Sequence, residues 1–156
     1  MNGSPVVLEA LNEILTAELT TINQYFINAK MLANWGYERL AEKFMHESID
    51  EMKDADKLIE RILYLDGVPN MQRLFPVPVG ESVLEQLQLA LEVETEAIAR
   101  YNRAIALTVS DGDNGTRELL AETLRGEESH ADWLESQLEL IDQVGIENYL
   151  SQQIRD

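Results

Sequence analysis

The chain has no cysteine, which removes disulfides, zinc fingers, thiolate iron–sulfur centres and cysteine nucleophiles together, and leaves oxygen and imidazole as metal donors. Positive charge is scarce: 12 lysines and arginines face 29 aspartates and glutamates, for a net charge of -17. Such a chain repels a phosphate backbone, so nucleic acid and an anionic membrane surface are not expected as partners, and cations are favoured. Long apolar runs are missing as well. Nothing approaches membrane-spanning length, and the opening MNGSPVVLEALNEIL has no basic segment before an apolar run and no cleavage-like site. A soluble, cytoplasmic protein is expected. Proline is sparse, with four in all, and three of them crowd into VPNMQRLFPVPVG.

What is present is helical periodicity. A chain of 156 residues with 45% hydrophobic content reads as a single domain over 1–156, long enough to bury most of its apolar surface. Ser4 and Pro5 open a first helix as cap and first-turn proline; Leu11, Ile14, Leu15, Leu19, Ile22 and Phe26 repeat at helical spacing, and Gly36 closes it. The pattern predicts a second helix over about 38–65, with Gly67 as its C-terminal cap. The proline-rich stretch follows with neither helical nor strand period, which suits a crossover running the length of a bundle. A third helix is expected over about 81–110, carrying Leu84, Leu87, Leu91, Ile98, Tyr101 and Ile105, and a fourth over about 116–143. Between them, Asp111 and Asp113 hint at a calcium loop, but Gly115 and Thr116 stand where that motif needs a ligand and its turn glycine, so DGDNG is taken as a turn. A short last helix, IENYLSQQI, needs something to dock against. The fold class is thus all-α, a four-helix bundle with a long crossover and a short fifth helix.

Six polar residues interrupt the apolar stripes near mid-helix: Glu18, Glu51, Asp54, Glu94, Glu127 and His130. In a bundle of four similar helices, mid-helix positions share one level, so these side chains should meet at the centre. Glu51 with Asp54, and Glu127 with His130, are each three residues apart. That spacing puts both members of a pair on one face, about 60° and 4.5 Å apart, within reach of one metal centre. A single glutamate on an apolar stripe commonly snorkels to water, and a single helical histidine is commonly packing. Six at one level are not independent accidents. Converging buried carboxylates need cations, and the lysines and arginines are expected on other helix faces. Two single glutamates and two paired positions make the donor set of di-iron and di-manganese carboxylate bundles, and oxygen-rich ligation with one imidazole suits iron or manganese.

The motifs NQYF at Asn23 to Phe26, HESIDEM at His46 to Met52, ADWLE at Ala131 to Glu135, and the terminal NYL with QIR resemble bacterioferritin, almost end to end. The resemblance implies a ferritin-like bundle, a hollow shell of 24 subunits and iron storage, with Fe(II) oxidised at an intra-subunit di-iron ferroxidase centre and haem b at two-fold interfaces. It implies Glu18 and Glu94 as terminal ligands, Glu51 and Glu127 as bridges, and His130 as one of two histidines. The second histidine position is Asp54 here. Its Oδ and a histidine Nδ1 both lie one atom beyond Cγ, but the extra negative charge should favour Fe(III) and leave a working, altered centre, whose Glu18–Asp54 iron is the more easily lost.

From spacing alone Met52 points about 100° away from the metal and reads as packing; the resemblance makes it the axial haem ligand, one from each of two subunits. Met31 and Trp35 line such a pocket or serve as interface residues. His46 and Asp50, four apart, are a solvated pair on one reading and iron- or electron-passing residues of the cavity wall on the other. Tyr25 and Trp133 place oxidisable rings near the metal level, with a redox role for Tyr25 as the sharper reading and core packing as the plainer one. A small ferredoxin as electron donor for release is implied by resemblance only. Two other readings stay open: a haem-binding shell subunit whose Asp54 disables oxidation and which shares a mixed cage with an active partner, and a di-iron oxygenase acting on an organic substrate.

Overall fold

A computed structural model of the chain describes residues 1–154, so the Arg155 of the QIR motif lies outside the described residues. Five helices follow in order: α1 (Pro5–Trp35), α2 (Glu38–Tyr64), α3 (Val83–Asp111), α4 (Asn114–Val144) and α5 (Ile146–Ser151). Among the described residues there is no strand, and no helix is long and apolar enough to cross a membrane.

Local chemistry explains most boundaries. The Ser4 hydroxyl accepts from the Val7 N–H, and Gly36 closes α1 at φ 91°, a left-handed conformation that suits glycine. Ser82 caps α3 by accepting from the Glu85 N–H. In the DGDNG turn, Asp113 Oδ1 accepts from the Thr116 N–H at 3.1 Å and from Arg61 at 3.0 Å, while Oδ2 accepts the Thr116 hydroxyl. That carboxylate is a helix cap tied to α2, which accounts for the false calcium signal. At the end of α2 the left-handed residue is Asp66, at φ 61°, rather than Gly67. Gly67 is needed for close approach instead, because a Cβ there would lie 2.6 Å from the Leu8 side chain.

The helices pack with α1 antiparallel to α2, as Ser48 bonding the Ile22 carbonyl and Gly3 bonding the Leu65 carbonyl show. The crossover then lies along α1. Asn12 bonds both Val68 and Asn70, Thr20 accepts from the Phe75 N–H, and Gln86 of α3 donates to the Gly80 carbonyl. Its chain is therefore carried back to the far end, so that α3 runs parallel to α2.

The apolar core comes in two parts. One contains Tyr25, Leu32, Phe44, Leu87 and Leu134; the other contains Leu11, Leu15, Leu58, Ile62 and Leu120. Each fully buried leucine among them contributes about 2 kcal/mol. The layer between them is polar. Phe26, expected on the core stripe, is 50% exposed, because the axis of α1 turns that side chain away from the other three helices.

Candidate metal centre

Every helix of the bundle sends side chains into the polar layer. Glu18 from α1, Glu51 and Asp54 from α2, and Glu127 from α4 each offer a carboxylate oxygen within 4.8 Å of the others. Glu94 from α3 is joined to Glu127 by a side-chain hydrogen bond, and its Oε1 lies 3.1 Å from His130 Nδ1. All six expected positions therefore meet. Glu18, Glu51, Glu94, Glu127 and His130 are buried, whereas Asp54 is half-buried.

Two phenols reach across the same layer. Tyr25 donates to Glu94 Oε1 at 2.5 Å, and Tyr101 donates to Glu18 Oε1 at 2.8 Å. Sequence reasoning placed Tyr101 on the apolar stripe and missed its partner. A signal was there: Glu18 to Tyr25 and Glu94 to Tyr101 are the same seven-residue step on two helices. Also missed was Glu47, one turn before Glu51. Its Oε2 stands 3.6 Å from His130 Nδ1, and its Oε1 holds Lys43 at 2.9 Å. Trp133 does sit at this level, stacked on the His130 ring at 5.9 Å.

The electrostatics follow from burial. Glu18 is pushed well above the usual carboxylate range by burial and then by Asp54, although the Tyr101 hydrogen bond works the other way. Glu127 is raised by burial, by Glu18 and by its hydrogen bond to Glu94. Asp54 rises to about 6, chiefly from burial, against the pull of Lys57. For Glu94, burial also pushes upward, but hydrogen bonds from Glu127, His130 and Tyr25 outweigh it and hold the carboxyl below its ordinary value. Burial and the neighbouring carboxylates keep both phenols protonated. Arg100 departs from the expectation that basic residues lie elsewhere: its side chain is largely buried, its guanidinium sits 5.3 Å from the Phe75 ring, and its charge draws Glu18 downward. Its ion pair is with Glu13, at 3.6 Å.

Glu18 Oε2, Glu94 Oε2 and His130 Nε2 are buried without any hydrogen-bond partner. Leaving such atoms unsatisfied costs about 1–3 kcal/mol each, more for charged groups. Donors of this kind, five oxygen-bearing and one imidazole, fit a pair of divalent cations. The layer opens to solvent on two sides. A cavity of about 470 Å³ under crossover residues Phe75 to Pro78 reaches Glu18, Glu51 and Glu127. A smaller one of about 270 Å³, between α2 and α4, is lined by Glu47, Asp50, Asp54 and Glu122.

The remaining candidates lie apart from this layer. His46 and Asp50 pair at 3.3 Å on the exposed side of α2. Met52 of α2 is 55% exposed, and Ile49 of α2 and Phe26 of α1 are exposed as well. Met31 faces Gln86 of α3, and Trp35 lines a cleft with Tyr37, Val83 and Leu150 at the bundle end.

Known proteins place this arrangement. The model of the ferritin-like domain matches residues 8–144. The chain is 47% identical over 152 residues to the bacterioferritin of Mycolicibacterium paratuberculosis, covering 97% of this chain and 96% of that one. It is 50% identical over 151 residues to the bacterioferritin of Streptomyces coelicolor (97% and 90% covered) and 43% identical over 149 residues to that of Brucella melitensis (96% and 92% covered). Matched at 43–50% identity along nearly its whole length, this chain belongs to the bacterioferritin family of ferritin-like proteins.

Proposed function

We propose that the chain is an iron-storage subunit and a ferroxidase: it assembles with its copies into a hollow 24-mer in the cytoplasm, binds Fe(II) in pairs at the central layer, oxidises it and passes ferric product to the cavity. The observation that carries this reading is the set of six donors, five of them buried, whose free atoms face one another across four helices. Glu51 and Glu127, which line both cavities that reach the layer, would take the bridging positions. Glu18 with Asp54, and Glu94 with His130, suit the two ends. Each Fe(II) gives up one electron, so a pair supplies the two that reduce dioxygen to hydrogen peroxide, or one peroxide to water. About 24 copies at -17 each carry a formal charge near -400, which draws cations in and favours ferric nucleation.

Aerobic Fe(II) oxidation by the pure homopolymer, followed by ferric absorbance alongside particle size, tests the proposal. A monomer or dimer without oxidation would sink it and favour an oxygenase. Tyr25→Phe is expected to slow oxidation several-fold with the cage intact, since it removes only the hydroxyl that holds Glu94; an unchanged rate would confine Tyr25 to packing.

Haem b is assigned to the exposed Met52 surface, where an isologous two-fold contact would bring two such methionines together. There it would take an electron from a ferredoxin for iron release. Phe26 of α1 and Ile49 of α2, both apolar and exposed, would supply walls for a porphyrin. Met52→Leu is expected to give a cage that purifies without haem absorbance; full haem loading of that variant would overturn the assignment. His46 and Asp50 then stand as a surface relay for iron or electrons.

A second reading is favoured by Asp54, whose half-exposure and pKa of about 6 weaken one end of the centre. On that reading the chain binds haem in a mixed cage and a more active subunit type performs most of the oxidation. Slow oxidation by the homopolymer, restored by co-assembly, distinguishes it.

A further inference from the structure

We propose that Tyr101 is the positioning residue for the Glu18–Asp54 end of the centre, setting the carboxylate of Glu18 for metal as Tyr25 sets that of Glu94. The inference rests on the two-metal reading above and extends it to a residue outside the donor set.

Tyr101 is 1% exposed, and its hydroxyl meets Glu18 Oε1 at 2.8 Å, which leaves Oε2 as the buried oxygen without a partner. A glutamate has three rotatable side-chain bonds, and a carboxylate held at one oxygen presents the other in a fixed direction. Hydrogen-bond partners of metal ligands orient them in this way, and removing one weakens metal affinity by about 10–100-fold.

A phenol buried only for packing needs some partner for its hydroxyl, and any carbonyl would serve. Here both buried tyrosines of the layer choose a donor oxygen, and they do so reciprocally. Tyr25 of α1 reaches Glu94 of α3, and Tyr101 of α3 reaches Glu18 of α1. Because α1 and α3 are antiparallel and each glutamate precedes its tyrosine by the same step, one approximate two-fold relation generates both contacts. Each end of the centre thus has its own phenol, supplied by the opposite helix. At the Glu94 end, His130 and Tyr25 share the work of orienting the carboxylate. At the Glu18 end no histidine is present, and Asp54 is half-buried. Orientation of Glu18 therefore falls to Tyr101.

The test is a Co(II) titration of the metal-free cage, read by visible absorption. Wild type is expected to bind two ions per chain. Tyr101→Phe should keep the tighter ion and weaken the other by about tenfold or more, with a changed spectrum for that ion alone. The retained ion, with circular dichroism, reports that the bundle is folded. Tyr25→Phe should spare the Asp54 end and weaken the other. In an Asp54→Ala background, where the Glu18 end is already lost, adding Tyr101→Phe should change nothing further, as a double-mutant cycle requires of residues acting through one site. Wild-type affinity for both ions in Tyr101→Phe would overturn the proposal, as would an added loss in the Asp54→Ala background. A wild-type cage that binds no Co(II) would overturn the two-metal reading itself and this inference with it.

Discussion

Glu18→Gln is expected to stabilise the metal-free bundle while weakening its hold on a pair of Fe(II) or Co(II) ions at least about 100-fold. Glutamine has the shape of glutamate without its charge. Glu18 is 3% exposed, and burial, Asp54 and Glu94 all oppose its ionisation. At neutral pH the metal-free chain must therefore either bury that charge or hold a proton against the bulk. The amide needs neither, and its oxygen still accepts from the Tyr101 hydroxyl. Replacing buried charge by neutral groups of similar volume is stabilising by roughly 1–4 kcal/mol, so the metal-free Tm should rise. Metal binding moves oppositely, because a neutral amide oxygen replaces an anionic ligand in a site whose charge is matched to cations. Thermal denaturation without metal and Co(II) titration check the two halves. A lower metal-free Tm, or affinity within tenfold of wild type, would contradict the account. The underlying trade is stability given up for function: the polar layer divides what would otherwise be one continuous core.

The second large effect is on pH. As pH rises from about 4 to 7, the metal-free protein should lose stability at Asp54 while gaining affinity for divalent metal. The carboxyl of Asp54 is raised from 3.8 to about 6 in the folded chain, so the folded state binds its proton more readily than the unfolded state does. A raised carboxyl of this kind gives its full stabilising contribution below the unfolded pKa, and that contribution is gone once pH passes the folded pKa. The swing is about 2 kcal/mol after allowance for partial exposure to water. Glu18 and Glu127, also raised, add in the same sense; Glu94, held low, opposes them. Metal binds the ionised form, so below pH 6 affinity at this end should fall about tenfold per pH unit for each proton displaced. Saturating Co(II) should cancel the stability loss at high pH, and Asp54→Asn should flatten the part of the metal-free profile that lies between pH 4 and 6. A metal-free Tm that climbs steadily from pH 4 to 7 would show the opposite sign and refute the assignment.

Asp54 also shows what a one-letter difference in a motif does in three dimensions. Asp54 closes HESIDEMKD where the family resemblance implies a histidine, and the consequence falls on one end of the centre. His130, Trp133 and Glu47 pack closely about the Glu94 end. At the other end, the smaller acidic cavity between α2 and α4 reaches Asp54 directly. The two ends are therefore chemically unlike, and metal should be held unequally at them.

Much of this architecture was legible before folding because the signals are short-range. The cap at Ser4, the glycine at Gly36 and the three- and four-residue repeats each depend on neighbours within one or two turns. The common level of Glu18, Glu51, Glu94 and Glu127 followed from helix lengths alone. What sequence could not supply was rotation and axial offset between helices. Whether Tyr101 meets Glu18 or only leucines, and whether Glu47 reaches His130, depends on how one helix turns against another by a few tens of degrees. Phe26 belongs to the same class: its spacing matches the core stripe, yet the stripe of a long helix drifts around its axis, and by that point it faces outward.

By itself, then, the amino-acid sequence determined that this is an all-helical bundle with an acidic, cation-seeking centre at mid-height, since periodicity and the energetic cost of buried charge are properties of the chain alone. Only the tertiary structure decided which phenol holds which carboxylate, which end of the centre is open, and which apolar side chains remain for a partner. Those are relations between helices, set by packing rather than by spacing along any one of them.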